Sequence, residues 1–306
     1  MDLMAVSARR PLGKTGFLAS RLGIGDLADR SVPLEQCVAT VRRAMEAGLN
    51  VIDTAPSYET GYSEQIVGQA VLSRREGMFV IDKIDEHDKP VGPQVQASLV
   101  RLGLKSVDCF VFHGVSTMAA WEKLAARGGG FDQLQPELGA GRARFAGLSG
   151  HHPEVVRAAV ESGRCDLVMF AAGPWCDERF LEALQLARKR GVATVCFKCF
   201  GAGKLLGDTA GYGKPLQARP RGKFSSGGQA GAAPTLPHLS VRQCLHYTLS
   251  LDPDVALLGL SFANEQDEAY AAARDFSPLS PREMQDIRRQ AAEAIADKGP
   301  CWWNPQ

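Results

Sequence analysis

The chain has 306 residues, 45% hydrophobic and 23% charged, enough to bury a large core as one α/β barrel or as two smaller domains. Its 35 Lys and Arg against 34 Asp and Glu leave a formal charge of +1, so no basic field suits nucleic acid or an anionic membrane, and the expected partner is a small molecule. The opening MDLMAVSARRPLGKTG holds no apolar signal core and no later apolar run reaches the roughly 20 residues of a membrane span, which points to a cytoplasmic protein.

In chain order, residues 8–20 (ARRPLGKTGFLAS) place a Gly-Lys-Thr-Gly turn between short β-prone pieces and predict a hairpin. Short apolar runs then alternate with amphipathic stretches: 21–25 before a helix at 34–46, 50–53 before 63–73, 78–83 before 91–102, and 107–113 before a longer helical region. Next come 143–149 before 153–162, 166–170 before 177–190, 192–198 before a loop and a helix from Val241, and 255–261 before helices near 264–274 and 281–297. Near-continuous apolar strands joined by crossover helices indicate a parallel sheet covered by helices, and eight such units suit a closed (β/α)8 TIM barrel spanning 1–306 as a single domain, its floor closed by the hairpin.

The loop 201–237 is rich in Gly and Pro and reads as a lid at the mouth or as a partly disordered insertion. Eight Cys lie in mostly apolar segments, as buried free thiols do in a cytosolic chain. Cys196 and Cys199 form a C-x-x-C, but strand alternation sends positions three apart to opposite faces, against a metal or redox pair. Adjacent His151 and His152 lack an acidic or Cys partner at ligand spacing, so no metal is expected.

Asp53, Lys83 and His113 end successive apolar runs at intervals of 30 residues, one βα unit each, so all three reach the same barrel mouth. Tyr58 follows in the first of these loops, within VIDTAPSYETGYSE. A phenol titrates near 10 and is a weak acid. An ammonium within a few ångströms is expected to lower that value, and a carboxylate beside the ammonium to hold it charged and in place. Asp53, Lys83 and Tyr58 supply one of each, and His113 can donate to the same substrate oxygen or relay its proton. Singly, each has a plainer reading as a cap, a packed aromatic, a solvated cation or a buried imidazole; together they suit an oxygen whose charge changes as its carbon is reduced or oxidised.

The segments RPLGKTGFLASRLGIG (10–25), GLNVIDTAPSYETGYSEQIVG (48–68), DK (82–83), VDCFVFHG (107–114) and ARFAGLSGHH (143–152) resemble the aldo-keto reductases, with a match running from about Arg9 to Ala273. The resemblance implies a barrel that binds a nicotinamide cofactor without a Rossmann domain. It implies hydride transfer at an aldehyde, ketone or sugar carbonyl, with Tyr58 as general acid, Lys83 and Asp53 tuning it, and His113 polarising the carbonyl. Ser149 matches the serine that bonds the nicotinamide carboxamide, whereas the usual following Asn is Gly150, as in some branches ending SGH, and the usual strand-six Gln is replaced by Met169 or Phe170. KCFGAGK (198–204) resembles the pyrophosphate segment, which nominates Lys198, Phe200, Gly201, Gly203 and Lys204. GLSFANEQDEAYAAA (259–273) resembles the adenosine-binding segment, nominating Gly259, Ser261, Asn264 and Gln266. That stretch lacks the Lys or Arg common in NADP-preferring members, so NADP is expected with NAD possible.

Trp175 and the tail residues Trp302 and Trp303 either wall a substrate pocket or pack against the barrel, and Trp175 joins Tyr58 and His113 as a substrate candidate. Two other functions stay open: a Schiff-base barrel enzyme using Lys83 or Lys198, and a non-catalytic nicotinamide-sensing subunit. No long exposed apolar element stands out, so a monomer or weak homo-oligomer is expected.

Overall fold

The computed structural model describes residues 9–26, 28, 30–206, 237–259, 263–299, 301, 303 and 304. A hairpin of β1 (Arg9–Pro11) and β2 (Leu18–Ser20) is followed by β3 (Leu22–Ile24), β4 (Val51–Asp53), β5 (Phe79–Ile84), β6 (Cys109–Phe112), β7 (Phe145–Ser149), β8 (Leu167–Ala171), β9 (Ala193–Phe197) and β10 (Val255–Leu258). Strands β3 to β10 pair in sequence order, all parallel, and β10 closes on β3. This is the (β/α)8 barrel that the eight apolar runs predict.

Both faces of these strands are apolar because both are covered. Odd-numbered residues such as Val51, Phe79, Ile81, Cys109, Val111, Leu167 and Val195 fill the barrel interior, while even-numbered neighbours such as Ile52, Val80, Phe110, Val168 and Cys196 pack under the helices. The hairpin plugs the floor: Leu12 is fully buried in the inner core and the Phe17 ring lies 5.3 Å from that of Phe79. Its turn abuts β9 so closely that a Cβ at Gly13, which has φ +49°, would meet the Ala193 nitrogen at 2.5 Å.

The outer layer comprises α1 (Leu34–Glu46), α2 (Tyr62–Val71), α3 (Val91–Leu102), α4 (Met118–Ala125), α5 (Gly130–Gly139), α6 (Pro153–Ser162), α7 (Arg179–Arg190), α8 (Val241–Leu251), α9 (Ala263–Arg274) and α10 (Pro281–Ile295). The long helical region expected after 113 is two helices, α4 and α5. Gly128 turns the chain at φ +76°, and a Cβ at Gly129 would meet the Lys123 carbonyl at 2.4 Å, so the turn between the two helices depends on glycine. Among the described residues no helix is long and apolar enough to cross a membrane.

Candidate active site

The strand parity that fills the interior also carries Asp53 and Lys83 to its upper rim, with His113 one residue beyond β6. Tyr58 is displayed by a tight loop whose next residues, Glu59, Thr60 and Gly61, all have positive φ (49°, 55° and 81°) and swing the chain into α2. Lys83 Nζ donates to Asp53 Oδ2 and, at 2.8 Å, to the Thr54 carbonyl, and it lies 4.3 Å from the centre of the Tyr58 ring. The side chains of Lys83 and Asp53 are 1% and 2% exposed, so the pair is removed from water. The His113 ring meets Tyr58 edge-on, with centroids 5.6 Å apart. All four predicted residues therefore share one place.

Their electrostatics differ from the expectation in one respect. Burial lowers the Lys83 ammonium most of any single cause, but Asp53 and then Tyr58 together outweigh it, and the net shift is upward, so Lys83 stays a cation. Burial raises the Tyr58 phenol, and the opposing charge of Lys83 only partly offsets this. The phenol therefore lies above its ordinary range, where the sequence led us to expect a lowered value, and it is a protonated acid at neutral pH. A firmly cationic Lys83 is also a poor amine nucleophile, which speaks against its use in a Schiff base.

Asp85 was not anticipated. It follows Lys83 by two residues, the same step that alternates side chains to one face, and its Oδ1 meets His113 Nδ1 while its Oδ2 accepts from the Ser57 N–H at 2.8 Å. Ser57, Asp85, His113, Gly114, Ser116, His151 and His152 line an open cleft of about 620 Å³. Burial, then the nearby Lys198 charge, lowers His151 to about 4, so it is neutral in this wall. Trp175 is half-buried against the hydrophobic core and is not among the cleft's lining residues.

On the cofactor side, Ser149 ends β7 and is paired in register with Met169, whose side chain faces the interior; Phe170 faces outward, its ring 5.4 Å from Phe180. Met169 is thus the inward side chain at this point of β8, and its thioether lacks the hydrogen-bonding capacity of a carboxamide. At Gly150 a Cβ would meet the Val115 carbonyl at 2.9 Å, so a side chain there would require the local backbone to shift. After β9, Lys198, Gly201, Ala202 and Gly203 all have positive φ (65°, 56°, 54° and 83°), in a tightly turning run that includes Phe200. Lys204 is fully buried and donates to the Gly299 carbonyl at 3.0 Å. Trp303, 1% exposed, lies with its ring 5.8 Å from Lys198 Nζ and 5.5 Å from Lys204 Nζ, so the tail packs directly on this segment.

Among the residues expected at the adenosine end, Gly259 is half-buried, Asn264 is exposed near the start of α9, and Gln266 is fully buried, accepting from Arg43 Nη1 at 2.9 Å and donating to the Thr40 carbonyl at 3.0 Å. Arg43, from α1, also pairs with Asp267 at 2.6 Å. It supplies a cation that the 259–273 segment itself lacks, from a helix more than 200 residues earlier in the chain. Ser261, Trp302 and residues 207–236 of the expected lid lie outside the described residues. Cys196 and Cys199 are both buried free thiols. Among the described residues no His, Cys, Asp or Glu group is arranged to hold a metal.

The chain matches the aldo/keto reductase family over residues 20–290. The NADH-specific methylglyoxal reductase of Escherichia coli is 26% identical over 226 residues, which cover 64% of this chain and 68% of that protein. L-galactose dehydrogenase of Arabidopsis thaliana is 25% identical over 311 residues, covering 94% of each. A solved aldo/keto reductase from Klebsiella pneumoniae in complex with NADP and acetate shares the fold, with a TM-score of 0.65 at 16% identity over 89% of this chain and 91% of that one. With its match to the family running from the second hairpin strand to the last helix, the chain belongs to the aldo/keto reductase family.

Proposed function

We propose that Tyr58 is the general acid–base of a nicotinamide-dependent oxidoreductase, with Lys83, Asp53 and His113 as its supporting groups. The chain is an enzyme of carbonyl and alcohol groups by family. The observation that carries the role of Tyr58 is its contact with the buried Lys83–Asp53 pair on one side and His113 on the other. A bound nicotinamide supplies or takes the hydride. Tyr58 then holds the proton at the substrate oxygen, Lys83 orients the phenol and stabilises charge on it, and Asp53 keeps Lys83 cationic. His113 faces the same oxygen from the cleft.

The residues present fit such a cofactor. The run of positive φ at 198–203, with Lys198 at its start, suits a diphosphate, whereas Lys204 is turned to the Gly299 carbonyl; Ser149 can bond the carboxamide. NADP is the favoured form, since Arg43 stands at the start of α9 where a ribose phosphate would gain from it; Asp267 shares that cation, which keeps NAD as the second choice. The E. coli relative is NADH-specific by name and the Klebsiella structure holds NADP, so both forms occur among similar proteins.

The test is fluorescence titration with NADPH and NADH, followed by turnover of a reactive aldehyde by wild type and Tyr58→Phe. The variant is expected to bind cofactor normally and to lose about 10²- to 10⁴-fold in kcat. Undiminished turnover would remove Tyr58 from the mechanism, and cofactor binding without any turnover in wild type would favour a sensing subunit.

A further inference from the structure

The chain after α10 is fastened to the segment after β9 by two lysines that cross. Lys298, 2% exposed, donates from Nζ to the Lys204 carbonyl and to the Pro237 carbonyl, both at 2.9 Å, while the fully buried Lys204 donates from Nζ to the Gly299 carbonyl at 3.0 Å. The Leu239 N–H adds a bond to the Leu205 carbonyl at 2.7 Å, so the backbone at 204–205 and at 237–239 is drawn together under the tail. Further along, the Trp303 ring lies against Lys198 and Lys204, and Asn304 Oδ1 accepts from the Asp177 N–H at 2.7 Å. Lysine ammonium groups ordinarily stay in water, and hydrogen bonds from a charged donor are among the stronger ones in a protein. Here two of them are spent on main-chain carbonyls, so they hold the course of the backbone itself.

That course needs holding. Lys198 and Ala202 have φ of 65° and 54°, a region that residues with a Cβ rarely enter and that persists where the surroundings over-determine it. Within the segment the support is short and local: the Gly201 N–H donates to the Lys198 carbonyl and the Gly203 N–H to the Phe200 carbonyl, each at 2.9 Å. The rest comes from the tail side. Asp297 and Gly299, at φ 59° and 76°, turn the chain off α10, and a Cβ at Gly201 would come within 3.8 Å of Ile295 Cδ1 in the last turn of that helix. Two strained turns, one after β9 and one after α10, are thus locked face to face by the crossed lysines.

We propose that Lys298 is a positioning residue for the cofactor: with the tail that follows it, it straps the 198–206 backbone into the conformation that receives the diphosphate. This rests on the oxidoreductase reading of the site. Where phosphate oxygens are bound by main-chain N–H groups, φ and ψ set the direction of each donor, so whatever fixes those angles fixes the affinity. If the strap is released, only a fraction of molecules keep the receiving conformation, and the apparent affinity falls by that fraction. The effect is confined to the diphosphate, because the bonds described for Arg43 and Gln266 at the adenosine end run between α1 and α9 and involve no residue of the tail.

The test is calorimetric titration of wild type and Lys298→Met with NADPH, with ADP-ribose, which keeps the diphosphate and lacks the nicotinamide, and with adenosine 2′-monophosphate, which has no diphosphate. Lys298→Met is expected to weaken NADPH and ADP-ribose about tenfold or more, to leave adenosine 2′-monophosphate within about twofold, and to be rescued in part by Lys298→Arg, which keeps a charged donor. A merely structural loss would weaken all three ligands alike, and that result, or an unchanged affinity for ADP-ribose, overturns the proposal. If Lys298→Met does not fold, Asn304→Ala releases the half-buried end of the tail from Asp177 without emptying the core, and it must show the same ordering of ligands. A wild type that binds none of the three would refute the oxidoreductase reading itself, whereas a wild type that binds them and a variant that binds them equally well would refute the role of Lys298 alone.

Discussion

Replacing Asp53 by Asn keeps the shape of the side chain and removes its charge. Lys83 would then retain the Thr54 carbonyl, at 2.8 Å, as its acceptor, with no counter-charge in a position only 1% exposed. Breaking a buried ion pair by deleting one partner costs about 3–5 kcal/mol, because the stranded ion has no water to return to. An unfolding entropy of about 2.1 cal/mol/K per residue gives about 0.64 kcal/mol/K for the 306 residues. The melting temperature should fall by roughly 5–8 °C, as read by circular dichroism or calorimetry at neutral pH. Removing both charges, as Asp53→Asn with Lys83→Met, leaves no stranded ion and should recover most of the loss. If Asp53→Asn melts with wild type, or if the double variant is as unstable as the sum of its two single variants, the pair is not the buried, mutually dependent unit described above.

Gly68 on α2 packs against the end of α3 so tightly that a Cβ would fall 1.8 Å from the Leu102 carbonyl oxygen; Gly68→Ala should cost at least about 1–3 kcal/mol in urea denaturation, and a neutral result would show that the two helices can part freely. Asp82, buried one residue before Lys83, is raised well above its ordinary value, by burial first and then by Glu64. A carboxyl raised in the folded state favours folding below its unfolded pKa and loses that contribution as pH rises toward its folded value. Asp82→Asn should therefore gain stability relative to wild type as pH is raised from the acid side through neutrality; a gap that shrinks over that range would contradict the shift. Seven of the eight cysteines are buried and only Cys301 is half-exposed, so a thiol reagent should label the native protein at Cys301 first and reach eight thiols only on unfolding, and early labelling of Cys196 or Cys199 would count against their burial.

The fold was legible because its signal is periodic. Eight apolar runs, each covered on both faces, admit few arrangements other than a closed parallel barrel, and the 30-residue spacing of Asp53, Lys83 and His113 by itself puts them at one rim. Strand parity then carried the same logic inward, so that Met169 rather than Phe170 could be placed as the interior residue once the register with Ser149 was seen. The break between α4 and α5 was less legible, since Gly128 and Gly129 are tolerated singly in helical patterns and the close approach of the Lys123 carbonyl to Gly129 exists only in the folded turn.

What the sequence determined by itself was which chemical groups reach the mouth, because strand length and alternation fix where a side chain emerges. What only the tertiary structure decided was the state and partner of each group. Tyr58 is raised rather than lowered because desolvation sums over atoms from many elements, and no local spacing reports that sum. Asp85 meets His113, Arg43 meets Gln266 and Trp303 lies on Lys198 and Lys204 because loops and a tail far apart in the chain converge there. A loop's course depends on everything it packs against, whereas a strand's alternation is a property of its own backbone.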